Sequence, residues 1–106
     1  MWSDYFRERE GFETIETDKG MATYRIIGEE CYIKDIFVPK EHRRSGEAFK
    51  IGDLISEIAK INGCKFISGS VVPSLNGSSE SMMGLLKYGF KLHESRPDFI
   101  VLVKEL

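Results

Sequence analysis

The most chemically loaded run in the chain is "EHRRSG", residues 41–46. His42, Arg43 and Arg44 crowd against Ser45-Gly46, and an amphipathic helical pattern begins at once. The first N–H groups of a helix have no internal partner, and the helix dipole favours negative charge beside them. A glycine lets a ligand come close to the backbone, and guanidinium groups match phosphate oxygens in shape and charge. Such a run can seat a phosphate-bearing ligand, or it can be a solvated loop ending in a helix cap at Ser45. It contains neither G-x-G-x-x-G nor G-x-x-x-x-G-K-[ST], so the two best-known phosphate loops are excluded.

The elements that must position this run fit in one domain over residues 1–106. Apolar residues make up 42% and charged residues 30%, the balance of a chain with a packed core. A net charge of -2 argues against general nucleic-acid binding, although residues 40–44 form a local basic cluster. No apolar run approaches the length of a membrane span, and "MWSDYFRERE" lacks an apolar signal core, so a cytoplasmic protein is expected. Cys31 and Cys64 form no C-x-x-C pair and are expected as small buried thiols. Two His and two Cys scattered along the chain leave no metal site.

Ser3, with Trp2, Tyr5 and Phe6 on one side, suits a short opening helix. "GFETIETDKGMATYRII" reads as a hairpin turning at "DKG", and "CYIKDIFV" as a third strand stopped by Pro39. In "SGEAFKIGDLISEIAKING", Ala48, Ile51, Leu54, Ile55, Ile58 and Ala59 recur at helical spacing, with Asn62-Gly63 as the exit. "CKFISGSVV" is a strand, "SESMMGLLKYG" a short helix, and "FKLHES" and "DFIVLVKEL" two closing strands. The predicted class is α+β: a mixed sheet in the order β-β-β-α-β-α-β-β, an antiparallel meander leading into a central β-α-β unit with parallel strands. The helices lie either one on each face or both on one.

The segment "IKDIFVPKEHRRSGEAFKIGDLISEIAKINGCKFI" resembles the centre of the GNAT superfamily of N-acetyltransferases. Val38-Pro39 and Arg43-Arg44-Ser45-Gly46-Glu47-Ala48 carry the likeness, and Gly89-Phe90 after "SSESMMGLLKY" resembles the family's second signature. The resemblance implies acetyl-CoA as cosubstrate. Its diphosphate would be held by backbone N–H groups of Arg43, Arg44, Ser45, Gly46, Glu47 and Ala48. Its pantetheine arm would lie as an added strand along Ile36, Phe37 and Val38, where strands ending at Val38 and Val71 splay apart. Lys40 or Lys50 would meet the adenosine phosphate, and Asn76 would bond the arm or simply serve its turn.

Acetyl transfer to an amine needs a base for the ammonium and stabilisation of the thioester oxygen. Asp35 is the candidate base, expected between Ile33 and Phe37 on one face of the strand, where burial would favour its protonated form. A solvent-side charge or a salt bridge to Lys34 or Lys91 is the alternative. Glu29 and Glu30 are weaker candidates. Many family members carry a tyrosine acid four residues before the glycine of Gly-Phe. Leu85 stands there in this chain, with Tyr88, Ser81, His42 and His93 as other groups to consider. Tyr88 is expected as a core or rim aromatic, and His42 as solvated. The family's usual N-terminal strand and helices have at most "MWSDYFRERE" in their place, which implies an open acceptor cleft suited to a protein, peptide or exposed amine, or one completed by a homodimer. The rival reading is a GNAT-fold binding or regulatory protein with weak or no catalysis that engages a protein partner.

Overall fold

Three β-prone runs separated by glycine-containing turns build the first half of the sheet. The computed structural model, which describes residues 11–43, 45–71 and 78–106, places β1 at Glu13–Glu16, β2 at Met21–Ile27 and β3 at Glu30–Phe37 as an antiparallel meander. A single 3-10 turn, Lys40–His42, leads to α1 (Glu47–Ile61). Then come β4 (Phe66–Val71), α2 (Ser78–Tyr88), β5 (Lys91–Ser95) and β6 (Ile100–Glu105). The described residues form a six-stranded sheet in the order β1-β2-β3-β4-β6-β5. β3 and β4 are parallel neighbours, as a β-α-β unit requires. β6 inserts between β4 and β5, antiparallel to both. The expected opening helix at Trp2, Ser3, Tyr5 and Phe6 lies outside the described residues.

Helix α1 is amphipathic, and Ile51, Ile55 and Ala59 on its inner stripe are fully buried. Burying an isoleucine side chain stabilises the fold by about 1.5–3 kcal/mol. The helix ends through Asn62 and Gly63, the latter in the left-handed region at φ +79. Gly52 and Ser56 are buried as well, because α2 shares this face of the sheet. Met82, Leu85 and Tyr88 of α2 pack on the same core as Ile51 and Ile55. Both helices therefore sit on one side, which resolves the choice that the sequence leaves open. Ala48 and Leu54, which fit the apolar spacing of the sequence, are instead exposed.

One irregularity in β3 shapes the centre of the molecule. Tyr24 pairs with Ile33 and Thr23 with Asp35, so Lys34 is an extra residue in β3. A β-bulge of this kind bends its strand and resets which face each side chain takes. Cys31 and Ile33 point into the helix-covered core before it, and Ile36 packs there after it. Asp35 and Phe37 are thereby turned to the opposite face. Pairing between β3 and β4 runs from Glu30 and Phe66 to Ile33 and Gly69 and then stops, although β3 continues to Phe37 and β4 to Val71. The two strands part where the bulge bends β3, leaving a gap between them.

The β1–β2 turn is packed hard against the end of β3. A Cβ on Gly20 would lie 2.7 Å from the Phe37 carbonyl oxygen, 3.1 Å from Ile51 Cδ1 and 3.3 Å from Val38 Cγ2. Thr17 pins the turn: its N–H donates to Gly20 O at 2.8 Å and its hydroxyl donates to the Glu47 carboxylate. Gly20→Ala must therefore shift backbone. It is expected to cost about 1–3 kcal/mol, whereas Gly28→Ala, at φ +58 with open space around it, costs only its backbone strain. Thermal unfolding of the two variants checks this; a Gly20→Ala midpoint equal to wild type would show that the turn yields freely.

Candidate functional site

The end of β3, the 3-10 turn and the start of α1 enclose a cavity of about 280 Å³ lined by Val38, His42, Arg43, Gly46, Glu47, Ala48 and Phe49. It lies next to the gap where β3 leaves β4. Its floor is the start of α1, and the N-cap is Gly46, left-handed at φ +85, with no side-chain cap hydrogen bond. This corrects the expected cap at Ser45. The Ser45 hydroxyl turns back and donates to the His42 carbonyl at 2.5 Å, closing the preceding turn. An opening helix turn without a side-chain acceptor keeps its N–H groups for an external anion.

The sequence-predicted cofactor residues come together in part. Val38, Arg43, Gly46, Glu47 and Ala48 line this one cavity, with exposed Ser45 beside it in the loop. Arg43 is exposed and donates from Nε to the Val38 carbonyl at 3.1 Å, which ties the loop to the strand end. Ile36 packs on the core while Phe37, 54% exposed, faces the other way. Arg44 and Asn76 lie outside the described residues. Lys40 and Lys50 are exposed on the flanking turns. His42 is half-buried in the cavity wall, not solvated as expected. Sequence reasoning misses the Glu47 side chain. It is buried, accepts the Thr17 hydroxyl and lines the cavity, so its carboxylate is held by the hairpin. An acidic residue in a first helical turn is the signal that could flag it.

Asp35 departs from expectation. It is exposed, and the bulge at Lys34 puts it on the face opposite Ile33. The burial expected of it is therefore missing. It lines a second, smaller cavity of about 110 Å³ with Phe12, Met21, Ala22, Thr23, Lys34 and Phe37. Glu30 opens β3 at its far end and Glu29 precedes it in the turn: Glu29 pairs with Lys65 at 3.0 Å, and Glu30 accepts the Ser68 hydroxyl.

Leu85, at the place of the family's tyrosine, is a packing residue whose Cδ1 lies 3.9 Å from a Cβ built on Gly69. Tyr88 is occupied elsewhere. Its hydroxyl donates to Asp53 at 2.7 Å and lies 3.3 Å from Ser56 Oγ, and its ring meets Phe49 edge-on at 5.2 Å. A Cβ on Gly52 would come within 3.0 Å of that ring, which is why a glycine stands in the middle of α1. Burial raises the phenol's pKa; the Ser56 bond works against this, and the bond and charge of Asp53 add to it. Tyr88→Phe is expected to cost about 1 kcal/mol of stability and to leave any turnover within about twofold. A much larger loss of turnover, with the fold intact, would place the phenol in the reaction.

The Cys31 thiol is pushed up to about 12 by burial, then by the charges of Cys64 and Glu30. Both cysteines are buried and free, as core thiols should be. His93 lies in the exposed edge strand β5. The side chain of Ser81 lies outside the described residues. Among the described residues no group of three or more His, Cys, Asp or Glu could hold a metal, and no helix is long and apolar enough to cross a membrane.

No protein-family model matches the sequence, and no curated protein matches it. Solved structures do match. A GNAT family acetyltransferase from Elizabethkingia anophelis, with acetyl-CoA bound, superposes with a TM-score of 0.78 at 19% identity, over 97% of this chain and 80% of that one. The PaiA N-acetyltransferase from Thermoplasma acidophilum, in complex with coenzyme A, gives 0.78 at 15% identity over 94% and 65%. An IAA acetyltransferase from Bacillus cereus gives 0.74 at 18% identity over 90% and 78%. The meander, the parallel pair that parts at a bulge and the uncapped helix beside the gap thus have a common source: the chain has the fold of the GNAT acetyltransferases.

Proposed function

We propose that the protein is an acetyl-CoA-dependent N-acetyltransferase acting on a primary amine by direct attack in a ternary complex. The observation that carries this is the 280 Å³ cavity over the uncapped start of α1, opening beside the β3–β4 gap. The residues present fit the cosubstrate. N–H groups of Gly46, Glu47 and Ala48 face a diphosphate, with Arg43 adding charge. The backbone edge at Ile36, Phe37 and Val38 that faces away from β2, past the last β3–β4 pair, would take the pantetheine arm as a strand. Acetyl-CoA supplies the acyl group as a thioester.

The chain's own part is to hold that thioester in the gap, to polarise its carbonyl with a backbone N–H near Val38, and to take a proton from the acceptor through Asp35, directly or by way of water. As the nitrogen–carbon bond forms, the carbon–sulfur bond breaks. A thiol of ordinary pKa, near 8.5, leaves as thiolate without a strong acid, so Leu85 does not by itself forbid turnover. The acceptor is an exposed amine, such as one on a protein or peptide.

Leu85 does favour a second reading, a scaffold that binds CoA and a protein partner with little catalysis. Calorimetric titration with acetyl-CoA, followed by free-thiol release against amines and lysine peptides, tests both. Absence of acetyl-CoA binding defeats both readings; binding without thiol release on any acceptor leaves the second.

A further inference from the structure

We propose that the cavity on the sheet face away from the helices is a seat for a primary ammonium whose carbon skeleton carries one compact apolar branch. The inference rests on the acetyl-transfer reading for its use, since the seat would hold the acceptor.

Thr23 and Asp35 are directly paired across β2 and β3, and both line the cavity of about 110 Å³. Side chains of such a pair project to the same face with Cβ atoms about 5 Å apart. Thr23 is only 6% exposed, and its hydroxyl is buried with no hydrogen-bond partner among the described residues. A buried hydroxyl without a partner is a standing cost. Thr23 lines the cavity beside Asp35, and an ammonium there that donates to both side chains would relieve the cost. Phe12, Met21 and Phe37 supply an apolar collar. An apolar cavity of about 150 Å³ takes up benzene, so this one suits a branched alkyl group somewhat smaller. Arg25 and Lys34 already occupy the Phe12 ring. Their cations lie 4.1 Å and 4.8 Å from the centre of the Phe12 ring, and Lys34 also lines the cavity. A second ammonium on the ligand would lie against the apolar collar with no second carboxylate among the lining residues, so monoamines are selected over diamines.

The test is an NMR and calorimetric titration of the full chain with isoamylamine, leucinamide, 1,5-diaminopentane and isoamyl alcohol, with and without CoA. Isoamylamine or leucinamide is expected to bind at least tenfold tighter than the diamine or the alcohol and to shift Thr23 and Met21 signals. Tighter leucinamide assigns the branch to the carbon bearing the nitrogen, as at a peptide N-terminus; tighter isoamylamine assigns a free amine. Thr23→Val should weaken that amine three- to tenfold while raising Tm by a few degrees. Thr14 is its control: its hydroxyl is also buried without a partner among the described residues, it pairs with Thr23, and it does not line the cavity. Thr14→Val should raise Tm and leave amine affinity alone. Equal affinity for all four probes, shifts elsewhere, or unchanged amine binding in Thr23→Val overturns the seat. Failure to bind CoA while the amine still binds defeats the acetyl-transfer reading and leaves the seat standing.

Discussion

Gly46→Glu is expected to abolish measurable acetyl-CoA binding, a loss of more than a hundredfold, in a protein that still folds. Two effects separate here. Gly46 sits at φ +85 with nothing within 4 Å of where a Cβ would stand, so any side chain fits the space but pays for left-handed backbone, about 1–2 kcal/mol. Gly46→Ala carries that cost alone and should lose no more than about tenfold in affinity. The glutamate adds a carboxylate at the mouth of the helix, where Arg43 draws it into the cavity. Charges about 4 Å apart near a protein surface interact by roughly 4 kcal/mol, and repulsion of even about 3 kcal/mol is a factor of more than a hundred in Kd. Calorimetry on wild type, Gly46→Ala and Gly46→Glu at equal salt measures it. Binding by the glutamate variant within threefold of the alanine variant would mean that the diphosphate sits elsewhere.

The features that this prediction depends on are legible in the sequence to different degrees. Glycine and arginines ahead of an apolar period locate the anion seat, because helix starts and close backbone approach are local properties. The order of strands is legible for the same reason: turns at Asp18-Lys19-Gly20, Gly28-Glu29 and Asn62-Gly63 punctuate alternating and helical patterns. The cap is not, since choosing between Ser45 and Gly46 depends on where the preceding 3-10 turn leaves the chain. Strict alternation carried through Lys34 puts Asp35 on the wrong face. A bulge is set by pairing with β2, and one inserted residue reverses every side chain beyond it. The role of Gly52 is hidden for a related reason. A glycine inside a helix costs about 1 kcal/mol relative to alanine, and its purpose emerges only when the Tyr88 ring arrives from a helix distant in sequence. The Thr17–Glu47 bond, which joins a hairpin turn to a helix start, is likewise tertiary.

The same bulge makes Asp35→Asn the more discriminating experiment on the chemistry. The substitution is nearly isosteric at an exposed position, so fold and Tm should hold. Asp35 lines the small cavity and not the one at Gly46, so acetyl-CoA affinity should stay within about twofold. Turnover should fall by about a hundredfold at pH 7, the lower end of what a general base contributes, because this carboxylate is solvated. An aliphatic amine with a pKa near 10.4 is free to the extent of roughly one molecule in 2,500 at neutral pH. As the pH approaches 10, solvent alone delivers the free amine, and the gap between variant and wild type should close. A gluing role for Asp35 in the fold would give a loss that is constant across this range or accompanied by a lower Tm. Equal turnover of the two proteins at pH 7 would remove Asp35 from proton transfer, and a defect confined to KM with kcat unchanged would leave it only the holding of the ammonium beside Thr23.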